Sequence, residues 1–259
     1  KINDIDNYHI IDCKNHIITQ SFIDIHAHFQ TPGVGDQETL VSGSNAALSG
    51  GYSKVCIMPN TNPVLDKPEL IDFILDEASS LPIDIYPIGA ITKKLEGIEL
   101  AEIGSMVNSG AVAISDAYSP IMNSQVMRYA LEYAKMFDVP VINHPQDMNL
   151  VNNGVMNESS ISNSLGLEGN PRISESIMIN RDLEIANYIK GKLHIPNITC
   201  SNSISLIDRY KNNNFSLTCE ISPQHLFFSD TNLIDYDTNF KLSPPLRSVE
   251  DKNKLIKGL

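Results

Sequence analysis

The chain has 259 residues, 42% of them hydrophobic, enough to bury a large core and to fill one barrel-sized domain. A formal charge of -12 and a pI near 4.9 argue against nucleic acid or an anionic membrane surface as partner, since both repel an acidic protein at long range. No stretch approaches roughly 18 uninterrupted apolar residues, and Lys1-Ile2-Asn3-Asp4-Ile5-Asp6 lacks the basic start and apolar centre of a signal peptide, so a soluble cytoplasmic protein is expected.

In chain order, apolar runs bounded by turn residues alternate with segments of helical period, the signature of repeated βα units and a parallel sheet. Strands are predicted at 22–25, 53–58, 83–89, 111–115, 139–143, 193–198 and 216–221. Helices are predicted at 38–49, 67–80, 98–108, 124–136, 174–190 and 203–212, with a last one at 250–259. Asp66 before Lys67-Pro68-Glu69 reads as a helix start with proline in the first turn. Val126, Ala130, Tyr133 and Ala134 recur as a core-facing stripe. Gly50-Gly51 closes a helix before a strand. The four cysteines, Cys13, Cys56, Cys200 and Cys219, lack CxxC spacing; three sit in apolar, strand-like runs where a free thiol packs as a small hydrophobe, which points to a reducing compartment.

Such a series closes as a barrel whose functional rim lies at the C-terminal ends of the strands. His26, His28, Asn60, Asp116, His144 and Asn197 all fall at or just after predicted strand ends. His26 and His28 are i and i+2 on one strand, so both imidazoles point to the same side and can meet one metal ion. Histidine pairs at strand ends are also common as plain polar rim residues. His9, His16 and His194 read as surface or satisfied positions, and His225 as a polar loop residue. Arg247, near the rim, is equally suited to stabilising a loop or meeting a ligand.

The run Asp24-Ile25-His26-Ala27-His28, then Thr31-Pro32-Gly33 and Met58-Pro59-Asn60-Thr61-Asn62-Pro63, resembles the cyclic amidohydrolases of the dihydroorotase type. The likeness continues through Tyr86–Lys93, Gly154-Val155-Met156-Asn157-Glu158 and Asn239–Ser248. It implies a TIM-type (β/α)8 barrel, here incomplete at both ends of the chain. Residues 1–20 would be the remnant of a small β-rich flanking domain, visible as Tyr8-His9-Ile10-Ile11-Asp12, and 21–259 an amidohydrolase-like barrel whose final strands are absent.

The resemblance also implies a binuclear zinc site that activates water for attack on a cyclic amide. His26, His28 and His144 match three of its metal ligands. The bridging ligand is the second aspartate of a Ser-Asp-Asp-Gly motif, and the match places Ala117 there; the adjacent Asp116 points to the opposite face if the backbone is extended. The last histidine is represented by Asn197, a much poorer ligand. The arginine that grips the substrate carboxylate is represented by Gln30, which donates a hydrogen bond but no charge. Asn60, the other carboxylate contact, is retained. The Asp-His-Ala-Pro-His motif that carries the general acid/base has no counterpart in this sequence, which is either a fragment of a longer polypeptide or lacks that residue altogether, so no catalytic residue is identifiable.

Four changes in independent roles point the same way. The expectation is therefore a dihydroorotase-like protein of de novo pyrimidine biosynthesis, catalytically impaired, with zinc weakly bound or absent. It would act as a structural partner of aspartate transcarbamoylase or through self-association. The competing expectation is an active metal-dependent dihydroorotase hydrolysing dihydroorotate, with Asp116 as the bridge, Asn197 as a weak ligand and a later segment bringing the acid.

Overall fold

Parallel pairing organises the wall of the molecule. The computed structural model describes residues 11–33 and 38–259, so His9 and the first half of the expected flanking remnant, residues 1–10, lie outside the described residues. Strands β1 (Phe22–Ala27), β2 (Tyr52–Ile57) and β3 (Asp84–Pro87) form one parallel sheet. Strands β4 (Ile114–Ser115), β5 (Val141–Ile142), β8 (Leu193–Ile195) and β9 (Leu217–Cys219) form a second, and a parallel bridge between Gly89 and Ile114 joins the two. β6 (Met156–Asn157) and β7 (Gly169–Asn170) pair with each other in a separate ribbon. The wall therefore follows chain order.

Helices α1 (Leu40–Ser49), α2 (Pro68–Ala78), α3 (Ile103–Asn108), α4 (Ser124–Met136), α7 (Ile173–Ile189) and α8 (Ser201–Tyr210) return the chain between wall strands, and α10 (Val249–Gly258) packs beside α8. The predicted strands and helices thus reappear as an open (β/α) barrel. Two apolar layers follow from the alternation of side chains along each strand. Val55 and Ile57 on β2 face outward onto Ile71 and Ile74 of α2 in the larger core. Cys56, Met58, Ile88, Ala113, Ala117 and Ile142 face inward and fill the barrel.

Several local expectations are corrected. The N-cap of α2 is Lys67, with Pro68 opening the helix; Asp66 instead accepts a hydrogen bond from the Lys94 backbone N–H at 3.0 Å, tying two loops together. On α4 the buried stripe is Val126, Met127, Ala130, Leu131 and Ala134, while Tyr133 turns outward onto Phe137. Cys200 caps α8 and is buried, and Cys219 is exposed; all four cysteines are free thiols.

Between α7 and the preceding wall strand lies an insert: α5 (Met148–Val151), β6, α6 (Ser160–Leu165) and β7. Nothing in the hydrophobic period announces it. It is held by Arg247, which is 3% exposed and donates to Asn170 O at 2.7 Å, Asn170 Oδ1 at 3.2 Å, Asn157 Oδ1 at 3.3 Å and Thr199 Oγ1 at 3.1 Å. Its guanidinium is committed to the protein itself, so of the two roles open to it the loop-stabilising one is the role it fills. No helix among the described residues is long and apolar enough to cross a membrane.

Candidate active site

Asp24, His26 and His28 share one side of β1 and its extension, and all three line a cavity of about 430 Å³ at the C-terminal mouth of the wall. Tyr118, Asn197, Glu220 and His225 also line it, with Ser222, Gln224 and Ser243. Among the described residues that line it there is no lysine or arginine, so nothing in the lining offers a fixed positive charge to a carboxylate. His144, Asn60 and Gln30 are not part of the lining.

Each imidazole has a different environment. His26 Nδ1 is paired with Glu220 Oε1, and Glu220 Oε2 meets His194 Nε2 at 3.3 Å; His194 Nδ1 in turn lies 2.9 Å from Thr218 Oγ1. Burial alone would raise the Glu220 pKa, but the hydrogen bonds from His194 and His26 outweigh it and hold the carboxyl down to about 2. Glu220 is thus a fixed carboxylate joining the ends of β1, β8 and β9. His194 is buried and satisfied, not at the surface.

His28 donates from Nδ1 to Asn60 Oδ1 at 2.8 Å, which leaves the lone pair on Nε2. That nitrogen is sealed from solvent and has no hydrogen-bond partner. Burial lowers the His28 pKa, which favours the neutral ring. A neutral imidazole with Nδ1–H fixed by an oxygen acceptor and a free Nε2 is in the tautomer a metal ligand needs.

The other expected ligands are not brought to it. His144 is buried, burial pushes its pKa down to about 4, and its Nε2 is bonded to Gln146 Oε1 at 3.1 Å. The phenol ring of Tyr118 stacks on His28, with centroids 4.5 Å apart and planes at 15°, and meets His144 edge-on at 6.2 Å. Among the described residues, no three His, Cys, Asp or Glu side chains come close enough to hold an ion together. The structure brings His26 and His28 side by side, 5.3 Å between ring centroids, but not His144 with them.

Position 117 explains part of this. Ala117 takes a left-handed backbone, φ 53°, and its methyl joins the inner apolar layer. Asp116 turns its carboxylate away to accept from the backbone N–H groups of Ile91 at 2.8 Å and Thr92 at 2.9 Å, and from the Thr92 hydroxyl. Burial pushes its pKa up to about 6 against those three bonds. Asp116 anchors the loop after β3 and offers nothing to the cavity. Asn197 does face the cavity, again from a left-handed backbone, φ 50°. His225 is buried rather than a loop residue: it sits on α9 (Pro223–Phe227) between Ser222 Oγ at 2.7 Å and Pro244 O at 3.1 Å. As they stand, these side chains do not fit a two-ion centre.

The dihydro-orotase-like family model matches residues 15–203. The chain belongs to the dihydroorotase-like family. It is 41% identical over 251 residues to a protein of Solibacter usitatus named dihydroorotase, covering 96% of this chain and 58% of that one. It is 40% identical over 251 residues to a dihydroorotase of Endomicrobium trichonymphae, covering 60% of that protein. The dihydroorotase-like chain therefore spans under two thirds of the length of these relatives. Its fold matches an L-hydantoinase of Arthrobacter aurescens, with TM-score 0.75 at 17% identity over 91% of this chain and 54% of that one. It also matches a Saccharomyces cerevisiae dihydroorotase in complex with 5-fluoroorotic acid, with TM-score 0.70 at 15% identity over 93% and 66%. These neighbours show the barrel fold.

Two residues of the dihydroorotase-like site had no place in the sequence reading. Glu220 ends a predicted strand just as His26 and His144 do, and the same strand-end rule would have picked it. Tyr118 stands where the Ser-Asp-Asp-Gly motif has glycine, so a ring replaces a hydrogen atom; that contrast was the available signal.

Proposed function

We propose that this chain is a non-hydrolytic dihydroorotase-like barrel, residues 21–259, of pyrimidine biosynthesis. The observation that carries the reading is at β4: Ala117 supplies no donor at the bridging position, and the neighbouring carboxylate of Asp116 is spent on Ile91 and Thr92. Without a bridging group, two cations a few ångströms apart repel each other with no charge between them to offset it. The lack of a basic side chain in the described lining supports the same reading, because a carboxylate substrate finds no charged partner there. Its proposed role is structural, through association with aspartate transcarbamoylase or with a second copy, by analogy with inactive members of such families.

A second reading, an active metal-dependent dihydroorotase, is favoured by the His28 tautomer and by the names of the relatives. One experiment separates them. The purified chain, incubated with zinc, is assayed for dihydroorotate hydrolysis with and without a chelator. No turnover in either arm supports the structural role. Turnover abolished by the chelator overturns it in favour of the hydrolase.

A further inference from the structure

The outer face of α4 carries an apolar stripe that none of the described residues covers. Tyr129, Tyr133 and Met136 stand at i, i+4 and i+7, on one side of the helix, and are 50%, 41% and 74% exposed. Tyr188 of α7, 76% exposed, adjoins them through Arg128, whose guanidinium lies 5.8 Å from its ring centroid. Beyond Tyr133 a groove of about 310 Å³ is lined by Leu100, Ala101, Gly104 and Ser105 on the α3 side. The helix has already spent its core-facing side on Val126, Met127, Ala130, Leu131 and Ala134, so the outer stripe is a second apolar face. Single exposed apolar side chains are ordinary on a protein surface, but tyrosine, methionine and arginine grouped on one face have the composition of an interface core.

We propose that α4 is the contact helix of a two-fold homodimer, packed antiparallel on α4 of a second copy of this chain. The charges favour a copy of itself as the occupant. Arg128 donates from Nε to Glu132 Oε1 at 2.8 Å, and among the described residues no other hydrogen bond engages its two terminal nitrogens or Glu132 Oε2. A cation and an anion one turn apart are self-complementary about a two-fold axis: in an antiparallel pair, Arg128 of each copy meets Glu132 of the other. The same register sets Tyr129 across from Tyr133, and Gln125 across from Met136, because all three pairs share a midpoint at residues 130–131 of the helix. With Arg128 and Lys135 against Glu132, α4 has no negative excess, so the overall charge of -12 does not oppose contact at this face. The area is of the right order. At these exposures the three tyrosines carry roughly 300 Å² per copy. Two copies thus bring about half of the roughly 1,200 Å² that a stable interface needs, before Met136 and the flanking polar side chains are counted.

The inference gives the structural role proposed above a surface, and rests on that reading only in taking a second copy as the occupant. Sedimentation equilibrium of the full chain over a range of concentrations, alone and with aspartate transcarbamoylase, reads it. A dimer is expected, and Tyr129→Glu is expected to weaken it at least tenfold. Arg128→Glu and Glu132→Arg, each alone, set like charges opposite one another in the homodimer and are expected to be monomeric. Mixed one to one they restore both cross pairs, and the mixture is expected to dimerise. Circular dichroism spectra matching the unmodified chain establish that each variant is folded. An unmodified chain that stays monomeric overturns the proposal, as does a dimer that Tyr129→Glu leaves intact, or a mixture of the two charge variants that stays monomeric. A chain whose Tyr129-dependent complex forms only with aspartate transcarbamoylase assigns the stripe to that enzyme, which overturns the homodimer and leaves the structural role standing. Hydrolysis of dihydroorotate by a dimer built in this way has the opposite outcome: it removes the structural role and leaves the surface.

Discussion

Glu220, just after β9, is paired with His26 near the end of β1, so one carboxylate ties together the first and last strands of the described wall. Removing it leaves His26 Nδ1 and His194 Nε2 without their acceptor in a partly buried setting. Glu220→Ala is therefore expected to lose about 1–3 kcal/mol of stability. Urea denaturation at pH 7 checks this; an unchanged midpoint would mean that the contact contributes nothing.

A second carboxylate sets an acid limit. Asp251 is fully buried; burial alone would raise its pKa, but the Ser201 N–H at 2.9 Å, the Ser248 hydroxyl at 2.8 Å and Arg172 at 2.6 Å together hold it below the ordinary range. An acid whose folded pKa lies below its unfolded value of about 3.9 binds fewer protons when folded. Its stabilising contribution is complete above that value and is lost as pH falls through the folded one. Asp251→Asn is expected to be less stable than the parent at pH 7, with the difference shrinking below about pH 4. Thermal melts across pH 3–7 read it, and a pH-independent difference would contradict the assignment.

Arg247 is expected to tolerate neither alanine nor lysine. Alanine leaves Asn157 Oδ1 without a donor and takes one donor each from Asn170 O, Asn170 Oδ1 and Thr199 Oγ1, which keep their bonds to Glu158, Ser174 and Glu175, at a cost of about 1–3 kcal/mol. Lysine keeps the charge but cannot spread it over a planar fork reaching Asn157, Asn170 and Thr199. A lysine variant as stable as the parent in chemical denaturation would show that the fork geometry is unimportant.

Restoring one site residue at a time is expected to yield no dihydroorotate hydrolysis. Gln30→Arg, Ala117→Asp and Asn197→His each mend one role, and residues that act as a unit are limited by whichever remains missing. Aspartate tolerates the left-handed backbone at 117 better than alanine does, but its carboxylate enters the inner apolar layer, so circular dichroism is used to establish that the variant is folded. Detectable turnover in any single variant contradicts this expectation.

Association is tested by size-exclusion chromatography with light scattering, alone and with aspartate transcarbamoylase from the same source. A complex is expected, with an interface above about 1,000 Å². A monomer that ignores that enzyme removes the structural role proposed for it.

The order of wall strands was legible because each apolar run is bounded by turn residues, and even the two-residue ladders of β4 and β5 lie inside longer apolar runs such as Ala111–Ser115. The pairing of His26 with His28 on one side was legible from strand alternation alone. The insert at 148–172 was not, because its elements are too short to show a period and are fixed by Arg247, some 75 residues later. Nor was the fate of Asp116, which depends on a left-handed residue at 117 that no side-chain pattern encodes. The Tyr118 contact with both histidines arises between separate loops, and its one trace in the sequence is a ring at the position where the Ser-Asp-Asp-Gly motif has glycine.

The Arg247 anchor also has a bearing on how the chain is made. During synthesis, Asn157, Asn170 and Thr199 leave the ribosome well before the residue that fastens them. The insert must therefore wait unfastened while the following 77 residues after Asn170 are added, and only then can the strand-and-helix scaffold behind it be locked from the far side.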